Sequence, residues 1–83
     1  MKILVVRDIK ADAYAVPMFV ASIGGCIRGF ADEINKTDDN PLARHPEDYE
    51  LYELGEYDET TATFTFLPKP KSHGQGSSYK LTR

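Results

Sequence analysis

Tryptophan is absent from this chain of 83 residues, and cysteine occurs once, at Cys26. One cysteine excludes an intramolecular disulfide and a cysteine-based zinc site. Cys26 falls within a helical pattern, where a buried thiol is the natural reading rather than a nucleophile. No apolar run approaches the length of about 18 residues that a membrane-spanning helix needs. Lys2 is followed by only four apolar residues before Arg7-Asp8, so no signal peptide is read at the start. Catalytic patterns are missing too. Gly24-Gly25 sits near a helix start, but no Walker lysine or dinucleotide motif follows it. Asp38-Asp39-Asn40 lacks the glycine and terminal glutamate of a calcium loop, and His45 and His73 stand alone. Glu50, Glu53, Glu56, Asp58 and Glu59 offer carboxylates with no nucleophile or cleft beside them. The expectation is a protein that is not an enzyme and has no metal, cofactor, membrane or small-molecule substrate.

What is present is an uneven charge. Residues 1–67 hold six Lys/Arg and thirteen Asp/Glu, whereas residues 68–83 hold Lys69, Lys71, Lys80 and Arg83 and no acid. An acidic body with a basic end does not suit a protein that binds nucleic acid over its whole surface. Contact with phosphate would have to be local.

The length fits one small domain with a limited core. Lys2 to Asp8 is a nearly continuous β-branched run and predicts a buried central strand. Tyr14 to Val20 is apolar but interrupted by Pro17, which predicts an edge strand or an extended connector, with room to pair with the first strand as a hairpin. Ser22 is placed to cap a helix from Ile23 to about Asn35, with Ile23, Cys26, Ile27, Phe30 and Ile34 on one stripe. Its glycines weaken it, and close packing of the helix on the sheet would explain them. Asn35 to His45 reads as a polar loop broken by Pro41.

Five of the nine aromatics lie between Arg44 and Leu67. Thr61 to Leu67 alternates, with Ala62, Phe64 and Phe66 on one face and three threonines on the other. Tyr49 to Tyr57 puts Tyr49, Leu51 and Tyr57 on one face and Tyr52 and Leu54 on the other, as an inner strand would. Pro46-Glu47-Asp48 also suits a helix start, but no apolar stripe outlasts one turn. A short turn over 45–48 feeding a strand accommodates both signals. Asp58-Glu59-Thr60 joins the two strands. Phe64 and Phe66 are expected to share a buried face with Ile23, Ile27 and Phe30.

The predicted architecture is α+β: a small, predominantly antiparallel sheet of three to four strands (2–9, 49–57, 61–67, with 14–20 at an edge) and one helix packed on one face. Residues 1–67 form the domain. Residues 68–83, rich in proline, glycine and serine, read as a flexible basic tail. Its four cations would meet phosphates while Tyr79 stacks on a base; Arg7 and Arg28 are the alternative cationic patch. With so small a core and apolar groups on both faces of Tyr49 to Tyr57, a homo-oligomer is expected.

His45-Pro46-Glu47-Asp48-Tyr49, Leu51-Tyr52-Glu53-Leu54-Gly55, Tyr57-Asp58 and Thr61 together form a recognisable pattern. So do Pro17 and Phe19, the run Arg28-Gly29-Phe30-Ala31-Asp32-Glu33, and the later Pro68, Pro70 and Lys71-Ser72. In this order they resemble the small non-structural proteins of gokushovirus-like microviruses, which are single-stranded DNA phages. Gly24-Gly25 departs from the helix formers usual there. The resemblance implies an accessory protein of the host cytoplasm that binds single-stranded DNA without sequence preference, in genome synthesis or packaging. It implies no catalytic residues. The alternative is a protein-interaction module acting on a host or phage protein without DNA.

Overall fold

The computed structural model describes residues 1–81. Five strands form one antiparallel sheet: β1 (Lys2–Asp8), β2 (Ala13–Tyr14), β3 (Met18–Val20), β4 (Tyr49–Asp58) and β5 (Thr63–Gln75). The order is β2-β1-β4-β5, with β3 sharing the outer edge of β1 with β2. Two helices complete the fold, α1 (Ile23–Ile34) and the short α2 (Pro41–Arg44), with single 3-10 turns at Pro46–Asp48 and Gly76–Tyr79. The α+β class, the central first strand and its hairpin partner at the Pro17 edge agree with the sequence reading.

Ser22 caps α1 as expected, its Oγ accepting from the Gly25 amide at 3.1 Å. The glycines of this helix do not serve close packing on the sheet. A Cβ at Gly24 or Gly29 would meet nothing within 4 Å, and one at Gly25 would meet only the Ser22 hydroxyl. Asn40 caps α2 with Pro41 in its first turn, and the turn at Pro46–Asp48 delivers the chain into β4. Asp58 closes the hairpin: its carboxylate accepts from the amide and the hydroxyl of Thr60, which hold it below the usual carboxylate range.

The core lies between the sheet and the helices. Leu4, Leu51, Phe30 and Ile34 are buried together, with Val6, Met18, Val20, Ile27, Leu42, Tyr49 and Tyr79 against them. The stripe of α1 faces this cluster, and Cys26 lies at its margin, its thiol pushed up by burial.

The tail expected over 68–83 is not a tail in the described residues. β5 continues through it to Gln75, pairing Lys71 with Glu53, Ser72 with Tyr52 and Gln75 with Glu50. Prolines are compatible with this because β5 is an edge strand, and Pro68 and Pro70 fall where its register slips between Phe66 and Lys71. The turn after β5 then folds back over α1. Gly76 is buried so closely that a Cβ there would lie 2.5 Å from Ile34 Cδ1.

A second correction concerns Phe64 and Phe66. Leu4 and Leu51 face the helices, so Ile3 and Val5 face away from them. The ladder pairs Ile3 with Gly55, Gly55 with Phe66 and Tyr57 with Phe64. The register of β1 and β4 shifts between Leu4 and Ile3, a bulge that turns Gly55 and Tyr57 to the face of Tyr52 and Leu54. Phe64 and Phe66 follow them to that face and never meet Phe30.

Candidate functional site

Among the described residues, the face of the sheet opposite the helices carries no other layer of the fold. Its aliphatic residues are nonetheless buried: Ile3 is 3% and Val5 2% exposed. Their cover is supplied by side chains of the same face. Ile3 sits in the ladder between Phe19 and Gly55, while Tyr14, Pro17, Leu54 and Pro70 gather around Val5.

At one end of this face four aromatic rings form a continuous group. Tyr57 and Phe64 lie 4.8 Å apart between centroids, Phe64 and Phe66 stack at 5.6 Å with an interplanar angle of 7°, and Phe19 stands edge-on to Tyr57 at 6.1 Å. Phe19 and Phe64 remain 49% exposed and Phe66 64% exposed. At the other end Tyr14 and Tyr52 are 6.1 Å apart, and the Arg7 guanidinium lies over the Tyr14 ring at 5.7 Å.

The ladder also sorts the carboxylates of β4. Glu53 is on the helix side, half a pair with His73 at 2.9 Å, and Glu56, between Tyr57 and the bulge, takes the side opposite Tyr57 and holds Lys2 at 3.4 Å. Only Glu50 joins Tyr52 on the aromatic side, where it accepts from Ser72 Oγ at 2.5 Å. Three of the four β4 carboxylates, Glu53, Glu56 and Asp58, are therefore turned away from the aromatic rings.

The seven residues proposed from the sequence do not gather into one arm. Tyr79 is packed edge-on against Phe30 at 5.8 Å, and its hydroxyl donates to the His73 carbonyl, so its ring is not free to stack on a base. Lys80 donates to the Ile34 carbonyl at 3.2 Å, where its charge meets the negative end of α1. Arg7 is engaged by Asp12 at 2.7 Å. Arg28 is exposed on α1, on the other side of the sheet from the aromatic face. Lys69 and Lys71 are exposed on β5. Arg83 lies outside the described residues. The sequence reading places Phe64 and Phe66 in the core and so misses the group; the alternation in Thr61 to Leu67 is the available signal.

His45, Glu47 and Asp48 bring ligand-type atoms within 4.8 Å of one another, which follows from the tight turn that contains them. Among the described residues, no helix is long and apolar enough to cross a membrane.

The half-exposed state of Phe64 sets its contribution to stability. Phe64→Ala is expected to lower stability by about 1 kcal/mol, and not by the about 3–5 kcal/mol of a core phenylalanine. A urea titration of both proteins measures this difference, and a loss in the core range would mean that the ring is covered in solution.

No curated protein and no solved structure matches the chain. The family model described as Phage ORF5 protein matches residues 1–79, which takes in the full sheet, both helices and the turn that carries Tyr79. With nearly its whole length matched, from the first strand to the turn that closes the core, this chain belongs to the Phage ORF5 protein family.

Proposed function

We propose that this phage protein is a non-enzymatic accessory factor of a microvirus that binds single-stranded DNA in the host cytoplasm, without sequence preference, during genome synthesis or packaging. The observation that carries the reading is the aromatic group of Tyr57 with the exposed Phe19, Phe64 and Phe66, on a sheet face that no other layer covers among the described residues. Bases stack on such rings whatever their identity, at about 1–3 kcal/mol per base. The partition of the β4 carboxylates lowers the repulsion at the rings, since Glu53, Glu56 and Asp58 face away from them. Lys69 and Lys71 are exposed on the strand that carries Phe64 and Phe66; Lys71 pairs with Glu53 and so faces the helix side, and these cations would meet phosphate around the free edge of β5.

Fluorescence anisotropy with a labelled single-stranded oligonucleotide at several salt concentrations tests this. Two phosphate contacts on a single strand give a log–log salt slope of about −1.4. The double variant Phe64→Ala, Phe66→Ala is expected to weaken binding at least about tenfold, with little change in fold. Absence of binding by the unaltered protein at low salt would overturn the reading. The protein-interaction alternative would then rest on the apolar groove between α1, α2 and β3, which is lined by Val6, Met18, Val20, Cys26, Phe30 and Leu42.

A further inference from the structure

The two edges of the sheet are built differently. One edge is made of β2 and β3, only two and three residues long, with Pro17 between them. Such an edge offers no template for another strand. The other edge is β5, 13 residues long, which has β4 on one side and, among the described residues, no strand on the other. Its second half is guarded by Pro68, Lys69, Pro70 and Lys71, the residue types that prevent edge pairing. Its first half, Thr63 to Leu67, is not guarded. It holds no charge and no proline, alternates threonine with phenylalanine, and is exposed from Thr63 to Phe66. A strand of this composition with unpaired main-chain groups along one side is suited to pair with a further strand.

We propose that the occupant of this edge is a second copy of the same chain, its β5 running antiparallel across a two-fold axis at Thr65. The stretch is self-complementary about that residue. Antiparallel pairing centred there sets Thr65 opposite Thr65 of the partner subunit, and Phe64 of each chain opposite Phe66 of the other. These are aromatic–aromatic and threonine–threonine pairs of the kind that stabilise antiparallel ladders. No like charges meet within the paired window. The proline-lysine run that follows stops the pairing at Leu67, and the two-fold uses both β5 edges, so association ends at the dimer and does not continue into a fibre. The sheet becomes continuous across the two chains, and the stacked Phe64–Phe66 pairs of both chains lie side by side on one face. The proposal stands independently of DNA binding; if both hold, the platform for bases is doubled in length.

So short a seam places the dimer among weak interfaces, and self-association is expected between about 10 and 500 μM. Sedimentation equilibrium of the full chain across that range is the measurement. Thr65→Lys puts two ammonium groups across the axis and is expected to weaken association at least about tenfold. Its helical and strand signal by circular dichroism should match the unaltered protein. Thr65→Glu should also fail to associate alone, while an equimolar mixture of the two variants should form a heterodimer through opposite charges. A monomer throughout the range for the unaltered chain, or a dimer that survives Thr65→Lys, would overturn the proposal. Loss of oligonucleotide binding with the dimer intact would bear only on the proposed function.

Discussion

A chain ending at residue 67 is expected to lose its cooperative fold. The residues removed are half of β5 and the turn that closes the core. Without them the inner strand β4 loses its partners at Glu50, Tyr52 and Glu53. Phe30, 5% exposed, loses the Tyr79 ring, and Ile34, fully buried, loses the cover of Gly76. The C-terminal end of α1 also loses its ties, because Asn35 Nδ2 donates to the Tyr79 carbonyl at 2.9 Å and the Leu81 amide to Asn35 Oδ1 at 2.8 Å. Uncovering two large apolar side chains costs about 1.5–3 kcal/mol each, and every main-chain hydrogen bond lost adds about 0.5–1.5 kcal/mol. A domain of 83 residues has about 4–12 kcal/mol in total. Thermal melting followed by circular dichroism should show a sharp transition for the full chain and none for residues 1–67. A sharp transition in the shortened chain would show that the end of the molecule is dispensable.

Gly55→Ala is expected to cost the sheet much of its stability. Gly55 has φ +155, in the region that side chains rarely adopt, at about 1–3 kcal/mol for a residue forced to hold it. There is also no room. A Cβ would press into the Thr65 carbonyl and stand 2.8 Å from Phe66 Cα, both of them main-chain atoms that cannot swing aside. Overpacking of that kind adds about 1–3 kcal/mol. Together these consume about half of the stability expected for the domain. The midpoint of urea unfolding should fall accordingly, and the near-ultraviolet signal of Tyr57 should change as β4 and β5 separate locally. An unaltered midpoint would mean that the bulge relaxes without cost.

Much of the fold was legible because local chemistry and tertiary role agreed. The β-branched run of β1, the Ser22 cap, the stripe of α1, the Pro17 edge and the turn at Pro46–Asp48 all follow from propensities within their own segments. The misreadings occurred where distant pairing decides. Pro68 to Gln75 has the composition of a disordered tail, and its strand exists because β4 offers a partner. Tyr79 looked like a free aromatic in a polar segment, yet a hole above Phe30 fixes its place. Phe64 and Phe66 were read as core by hydrophobicity. Their alternation was right, but the choice between two faces depends on a register that no window of the strand contains. The same holds for the candidate site: its rings were visible in the sequence, and their convergence with Phe19 was not.

The bulge at Gly55 has a further consequence. Along β4 the odd-even rule runs unbroken on each side of it and changes sign across it. The two ends of the aromatic face are thereby written in different frames, one by Tyr14, Tyr52 and Glu50 and the other by Phe19, Tyr57, Phe64 and Phe66. Substitutions that remodel the charged end leave the frame of the ring-bearing end untouched, and the reverse is also true. One glycine at the bulge keeps the two half-faces on the same sheet.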